Sequence, residues 1–323
     1  MRIFLQLAIV VACAAVSSTS SAQAYPSKPI RILVPLAVGS QNDILARMLA
    51  QKMTEHWRQP VVVDNRPGGA GAIAGNILVK ANPDGYTLMI HSDGHAVSAA
   101  LYASTLPYDT LRDIARVSQV ASFPTILVTA PSLGIKSVKQ LIALAKSKPG
   151  QLTFGSAGIG GGLHLSGEMF KVAAHINVIH VPYKGAAEPI AETMAGRIQF
   201  MFAPPGVALP LIQQGRLLAL AVGSAHRSSL LPDLPTVAEA GVPGFGYDLW
   251  SGLFAPAGTP KSIVSQLNHE VDRIMNLPDV KMRLASQGIV HRKNQPEEFD
   301  RFVRAEIEKL NKVIVIAGIK VDQ

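Results

Sequence analysis

The sequence predicts an α/β fold in which mostly parallel sheets, flanked by helices, form two lobes. Three observations predict it. Short apolar runs alternate with segments of helical period over most of the chain. The runs are apolar almost throughout, as strands covered on both faces are. The chain has 323 residues, of which 48% are apolar, enough for more than one core on a prior of about 150 residues per domain.

The elements follow in order. Ile30 to Leu36 is a short apolar strand after Pro29, and Ile44, Leu45, Met48, Leu49 and Met53 recur at helical spacing behind it. Val61 to Val63 is the next strand and ends in the loop Asp64 to Gly69. Ala70 to Lys80 reads as a helix, stopped by the turn signal Asn82-Pro83-Asp84-Gly85. Strands at 86–90, 125–129, 152–154, 178–181, 198–202 and 217–222 alternate with helices at 138–146, 163–173 and 186–195. The last helix opens on Pro296 with Glu297 and Glu298, where anions suit the dipole, and ends at Gly318. Extended apolar segments near 123–129 and 248–254 read as two crossings between lobes. The first lobe is then residues 25–124 with 247–323, and the second, residues 125–246, is inserted into it.

Composition excludes several function classes. Charged residues make up only 16%, which is incompatible with disorder. A single cysteine excludes a disulfide scaffold and multi-cysteine metal sites. The 30 Lys and Arg outnumber the 22 Asp and Glu, for a net charge of +8. That excess is spread thinly, without the basic stripe of a nucleic-acid binder. It leaves a weak bias toward small anions. The amino terminus carries Arg2, an apolar run from Ile3 to Val16 and the A-x-A site Ala22-Gln23-Ala24. This is the pattern of an export signal cleaved before Tyr25. Val10-Val11-Ala12-Cys13 has the look of a lipobox, and lipid anchoring at Cys13 is the alternative to soluble processing.

Two loops carry the candidate chemistry. Residues 155–162 hold five glycines between a strand and a helix. Free amides at a helix start, with glycines that let a ligand approach, suit an anion. No Gly-Lys-Ser/Thr follows, and a dinucleotide fingerprint fails at Leu163, so the cradle fits something smaller than a nucleotide. A flexible strand–helix turn is the plainer reading. Ser40-Gln41-Asn42-Asp43 opens the first long helix, and Ser40 with Asp43 has capping-box spacing, a role compatible with ligand binding. Tyr183 ends a strand, where open α/β sheets bind ligands; a rim aromatic is the alternative. His164 with Glu168, and His91 with His95, stand four apart, yet nothing nearby completes a metal site. No metal and no cofactor are expected. Neither G-x-S-x-G nor H-E-x-x-H occurs, so a secreted hydrolase has no motif to support it.

These segments, in order, resemble a known family. They are Tyr25-Pro26-Ser27-Lys28-Pro29-Ile30-Arg31, Val62-Val63-Asp64-Asn65-Arg66-Pro67-Gly68, Pro83-Asp84-Gly85-Tyr86-Thr87-Leu88 and Leu106-Pro107-Tyr108-Asp109. Val181-Pro182-Tyr183-Lys184-Gly185, Leu231-Pro232-Asp233-Leu234-Pro235-Thr236, Glu239-Ala240-Gly241 and Ala255-Pro256-Ala257-Gly258-Thr259-Pro260 complete the set. Together they resemble the Bug-type substrate-binding receptors of tripartite tricarboxylate transporters. The resemblance implies a periplasmic receptor of the type II-like binding-protein fold, with no enzymatic turnover. Its two lobes would close on a small organic carboxylate for delivery to membrane permease subunits. A solute sensor feeding a signalling partner is the alternative. The expected state is a monomer that binds no nucleic acid.

By the same resemblance the ligand would lie between Val38–Asp43 and Ser156–His164. The implied contacts are Val38, Gly39, Ser40, Asp43, Ser156, Ala157, Gly158, Gly160, His164, Tyr183 and Ala203. The chain departs from the family where Pro-Gly-Gly is common, reading Ala37-Val38-Gly39-Ser40. It departs again after His95-Ala96-Val97, where Ser98-Ala99 replaces Asn-Pro. Amino-acid binders of the family often carry an acid near Ala203; Ala203-Pro204-Pro205 here implies a ligand without an obligatory ammonium group.

Overall fold

The computed structural model describes residues 25–102, 105–183 and 185–318. The expected signal segment, its cleavage site and Cys13 lie outside the described residues.

Two five-stranded sheets organise the chain. The first contains β1 (Ile30–Val34), β2 (Val61–Asn65), β3 (Thr87–Ser92), β4 (Ile114–Phe123) and, from much later in the chain, β10 (Leu249–Pro256). The second contains β5 (Ile126–Thr129), β6 (Thr153–Ser156), β7 (Ile179–Pro182), β8 (Phe200–Ala203) and β9 (Leu218–Val222). Their orders are β2-β1-β3-β10-β4 and β7-β6-β8-β5-β9. In each sheet one strand is reversed: β10 is antiparallel to β3 and β4, and β5 to β8 and β9. The reversed strand occupies the same place in both, and in both it is the strand that follows a crossing. The first crossing is the short step from β4 to β5; the second runs from β9 through residues 223–248 to β10.

Alternation along the strands sends side chains to two faces. Ile30, Ile32 and Val34 pack against α1 (Gln41–Trp57) and α8 (Lys261–Met275), whereas Leu33 faces the opposite way. Leu33 and Met89 belong to an apolar core that continues through Trp250, Phe254 and Phe299 into the second sheet at Phe154, Phe200 and Phe202. Trp250 is fully buried, edge-on to Phe299 and Phe302 of α10 (Pro296–Ala317). The outer face of the second sheet carries a smaller core of Ile126, Val128, Met201 and Ala203. It is closed by Ile190 of α6 (Ala187–Met194) and Ala208 of α7 (Pro205–Gln213).

The remaining helices are α2 (Ala72–Val79), α3 (Gly94–Leu101), α4 (Val138–Ser147), α5 (Gly162–Ala173) and α9 (Pro278–Ala285). Local sequence explains their ends. Gln295 and Glu298 form a capping box around Pro296, and Gly318 closes α10 in the left-handed conformation at φ 62°. The helix read at 70–80 begins with a 3-10 turn, Gly69–Gly71, because Gly71 adopts φ 94° and postpones α-helical bonding to Ala72.

β10 changes register between Ser251 and Gly252, and Phe299 fills the space above that glycine. A Cβ at Gly252 would lie 2.2 Å from Phe299 Cζ. Gly252→Ala should therefore destabilise the protein by about 1–3 kcal/mol through overpacking and lower the thermal midpoint. An unchanged midpoint would show that α10 does not seat on β10 in this way.

Candidate functional site

Ligands of open α/β sheets bind beyond the carboxyl ends of the strands. Here the ends of β1, β3 and β6 face one cavity of about 350 Å³. It is lined from the first sheet's side by Pro35 to Ala37, Gly68, Gly71, His91 to Gly94, Val97, Ser98 and Tyr102, and from the second by Ile159 to Gly162. Larger hollows exist, one of about 570 Å³ beside Leu106–Arg112 and one of about 450 Å³ around the second crossing. The cavity at the strand ends is favoured because two helix starts meet there. Its volume also suits a small organic ligand.

Electropositive character in this cavity comes from backbone. Both α3 and α5 start on its wall, at Gly94 and Gly162; neither N-cap residue caps its helix with a side chain, although the Gly94 amide that opens α3 donates to Ser92 Oγ at 3.2 Å. The first amides of a helix lack intrahelical acceptors. Each such start contributes about 0.3–1 kcal/mol toward a nearby anion, and up to about 2 when partly buried. No lysine or arginine is among the described lining residues.

The glycine-rich loop is held from beneath. Ser156 is fully buried; its Oγ accepts the Gly158 amide at 3.2 Å and lies 2.7 Å from His180 Nε2. The His180 ring stacks on His164 at 3.9 Å and on Phe154 at 4.9 Å. His164 Nδ1 accepts the Gly160 amide at 3.0 Å, which fixes the turn just before α5. Gly158 and Gly160 take φ of 138° and 75°, so the turn requires glycine at both. Burial pushes His164 down to about 4, helped by Lys171, and burial with His164 and Lys171 pushes His180 down to about 3. Both rings are neutral at pH 7. Ser156 and His180 have the reach of a nucleophile–base pair, but a fully buried hydroxyl meets no substrate. Their role is to shape the loop.

The other loop folds on itself. Ser40 Oγ accepts the Asp43 amide at 3.3 Å and caps α1. Asp43 reaches back to the Gly39 amide at 2.9 Å and forward to Arg47 Nε at 3.0 Å. Burial pushes its pKa up, yet hydrogen bonds from Arg47, Gly39 and Asn65 outweigh that and hold it below the usual carboxylate range. Val38 is 72% exposed.

Of the residues singled out in the sequence, then, Gly160 lies on the cavity wall, while Ser156, Gly158 and His164 form the loop beneath it. Ala157 holds the loop's far side, its carbonyl accepting the Gly185 amide at 3.2 Å, and Tyr183 donates its amide to Ser156 O at 3.0 Å. Val38, Gly39, Ser40 and Asp43 are outside the lining, which the first loop meets only as far as Ala37. Ala203 differs most from expectation: alternation along β8 turns it to the outer core, fully buried beside Ile126 and Ala208. Sequence reasoning missed the β3–α3 corner, Ser92, Asp93, Gly94 and Ser98. The signal was Asp93-Gly94 directly after an apolar strand, masked by reading His91 and His95 as an incomplete metal pair. Those rings meet at 5.9 Å, and His95 turns away to stack on Phe254 at 4.3 Å. His164 Nε2 and Glu168 Oε1 are 3.8 Å apart, and among the described residues no group of three or more His, Cys, Asp or Glu gathers to hold a metal.

The two depressed histidines make stability pH-dependent. Their folded values lie below the ordinary value of about 6.5, so the unfolded chain binds more protons in between. Their contribution is complete above pH 6.5 and is lost as pH falls toward 4 and then 3. Thermal melts from pH 7.5 to 4.5 should show a shallower loss for His180→Phe, which keeps the stack but cannot titrate, than for the native protein. Parallel curves would contradict the neutral stacked pair.

With this geometry in place, comparison with known proteins is informative. Residues 45–319 match the family model of the tripartite tricarboxylate transporter family receptor. Protein BugT of Bordetella pertussis is 32% identical over 320 residues, covering 99% of this chain and 98% of the relative. A solved R. palustris protein with adipate is 35% identical, with a TM-score of 0.79 over 92% of this chain and 99% of that one. MatC from Rhodopseudomonas palustris with bound malate is 28% identical, with a TM-score of 0.76 over 90% and 100%. The two-lobed fold and the sequence therefore agree, and the chain belongs to the Bug-type receptors of the tripartite tricarboxylate transporter family.

Proposed function

We propose that this chain is an exported periplasmic receptor that captures a small organic carboxylate and presents it to membrane permease subunits. The first lobe is residues 25–124 with 247–323, and the second is residues 125–246. The ligand sits in the cavity between them, against Gly160 and its neighbours in the glycine-rich loop. The observation that carries this reading is the convergence of two helix starts, α3 from one side and α5 from the other, on one cavity. Backbone amides from opposite sides can bind one carboxylate through charge-assisted hydrogen bonds. The adipate and malate held by relatives of this fold give the ligand class. The glycine, serine and apolar side chains that make up most of the lining fit a carbon chain carrying such groups at its ends.

A thermal-shift screen at pH 5.5–7 tests it. A ligand that binds only the folded form adds about 2.7 kcal/mol at a hundred times its Kd, so adipate, malate or a related acid should raise the midpoint. Small-angle scattering with the same acid should show compaction as the lobes close. Aspartate or glutamate binding at least tenfold tighter than succinate or malate, by titration calorimetry, would contradict a carboxylate receptor without an ammonium requirement.

A further inference from the structure

The cavity wall holds one group that a carboxylate site should avoid. Asp93 follows β3 and immediately precedes α3, and it is only 5% exposed. Its position is fixed from the second crossing: Tyr247 Oη donates to Asp93 Oδ2 at 2.9 Å, and the Asp93 amide donates to Trp250 O at 2.9 Å. The opposite lobe presses on the same oxygen. A Cβ built on Gly162, the first residue of α5, would lie 2.2 Å from Asp93 Oδ2. The carboxyl group thus stands between the two helix starts that would hold a ligand.

We infer that Asp93 couples carboxylate capture to a proton: the ligand is bound with Asp93 as the neutral acid, which donates a hydrogen bond to the ligand carboxylate. This rests on the carboxylate reading given above. Two carboxylates sharing a cavity of about 350 Å³ cannot both stay ionised without a cation between them. None is in place. From β3, His91 Nδ1 accepts the Ser92 amide at 2.9 Å. His95 of α3 is kept neutral by burial. The first turn of α5 offers Gly162 and Leu163, and His164 behind them is neutral. The crossing offers the Tyr247 hydroxyl. From α10, Glu306 adds a negative charge that is paired with Lys309 at 3.6 Å, and Lys309 also donates to Gly246 O and sits over the Tyr247 ring at 5.1 Å. Burial already pushes Asp93 up to about 6, against hydrogen bonds from Tyr247, Ser92 and the Gly94 amide that pull it back. A bound carboxylate pushes it further. By linkage, a ligand that raises a group's pKa binds more tightly as pH falls.

Titration calorimetry of the full mature chain with adipate and with malate tests this between pH 5.5 and 8. Above pH 6 the native protein should lose about tenfold in affinity per pH unit. In two buffers of different ionisation enthalpy at pH 7 it should take up close to one proton per ligand. Asp93→Asn keeps an acceptor for Tyr247 and supplies a permanent donor. It should bind at pH 8 at least tenfold more tightly than the native protein, with no pH dependence and no proton uptake. Native affinity that is flat with pH, without proton uptake, overturns the inference and leaves the carboxylate reading intact; this arm does not depend on the variant's folding. Asp93→Asn that melts normally but binds neither acid at any pH, while the native protein binds one, overturns it as well and marks Asp93 as an ionised partner. No binding of either acid by either form at any pH refutes the carboxylate reading itself, and the inference falls with it.

Discussion

Strand β10 is the constraint on which the rest of the structure depends. It arrives from the second crossing, runs against the direction of its neighbours and separates β3 from β4. Without it the first sheet would divide into two pieces, since among the described residues β4 pairs with no other strand. The same segment fixes the cavity. Trp250 O holds the Asp93 amide, Tyr247 holds the Asp93 carboxyl and Gly252 accepts Phe299 of α10. The hinge region is therefore also the back wall of the proposed site, and a shift of the crossing moves polar groups in the cavity with it.

Among the described residues the site draws its electropositive character from backbone, with no lysine or arginine on the cavity wall. Its positive ends are those of α3 and α5, which are fixed by the backbone and cost no side-chain entropy to order. Glycines at 160–162 bring the second of these close to the first lobe, and neutral stacked histidines beneath hold the turn. In such a setting the charge state of one buried acid weighs heavily. An ionised Asp93 would compete for the same helix starts as the ligand, whereas a protonated one adds a donor to them.

Much of this was legible in the sequence because apolar runs and turn residues report directly on burial and chain reversal. The Pro296 start and Gly318 stop of α10, the strand beginning at Ile30 and the glycine loop at 155–162 all lie where local chemistry puts them. What was not legible is informative. Strand β4 carries Arg116, Ser118 and Ser122 among apolar residues, which blurs its pattern. Arg116 is nonetheless buried, because it donates to the carbonyls of Leu111, Ile114 and Thr110. Helix α7 contains Pro210, which argues against a helix locally. The lining residues Ser92 to Ser98 depend on how β3 is brought opposite β6. That pairing of distant corners is set by the crossings and leaves no periodic trace. Ala203 was singled out by family position, yet the parity of β8 buries it on the outer face.

The most direct test of the account is a crystal structure of the protein grown with adipate at pH 5.5. The ligand is expected in the cavity between Ser92–Ser98 and Ile159–Gly162, with a carboxylate against the amides that open α3 or α5 and within hydrogen-bonding distance of Asp93. Adipate found instead in the hollow around the second crossing, beside Ser224, Asp248 and Glu306, would contradict it.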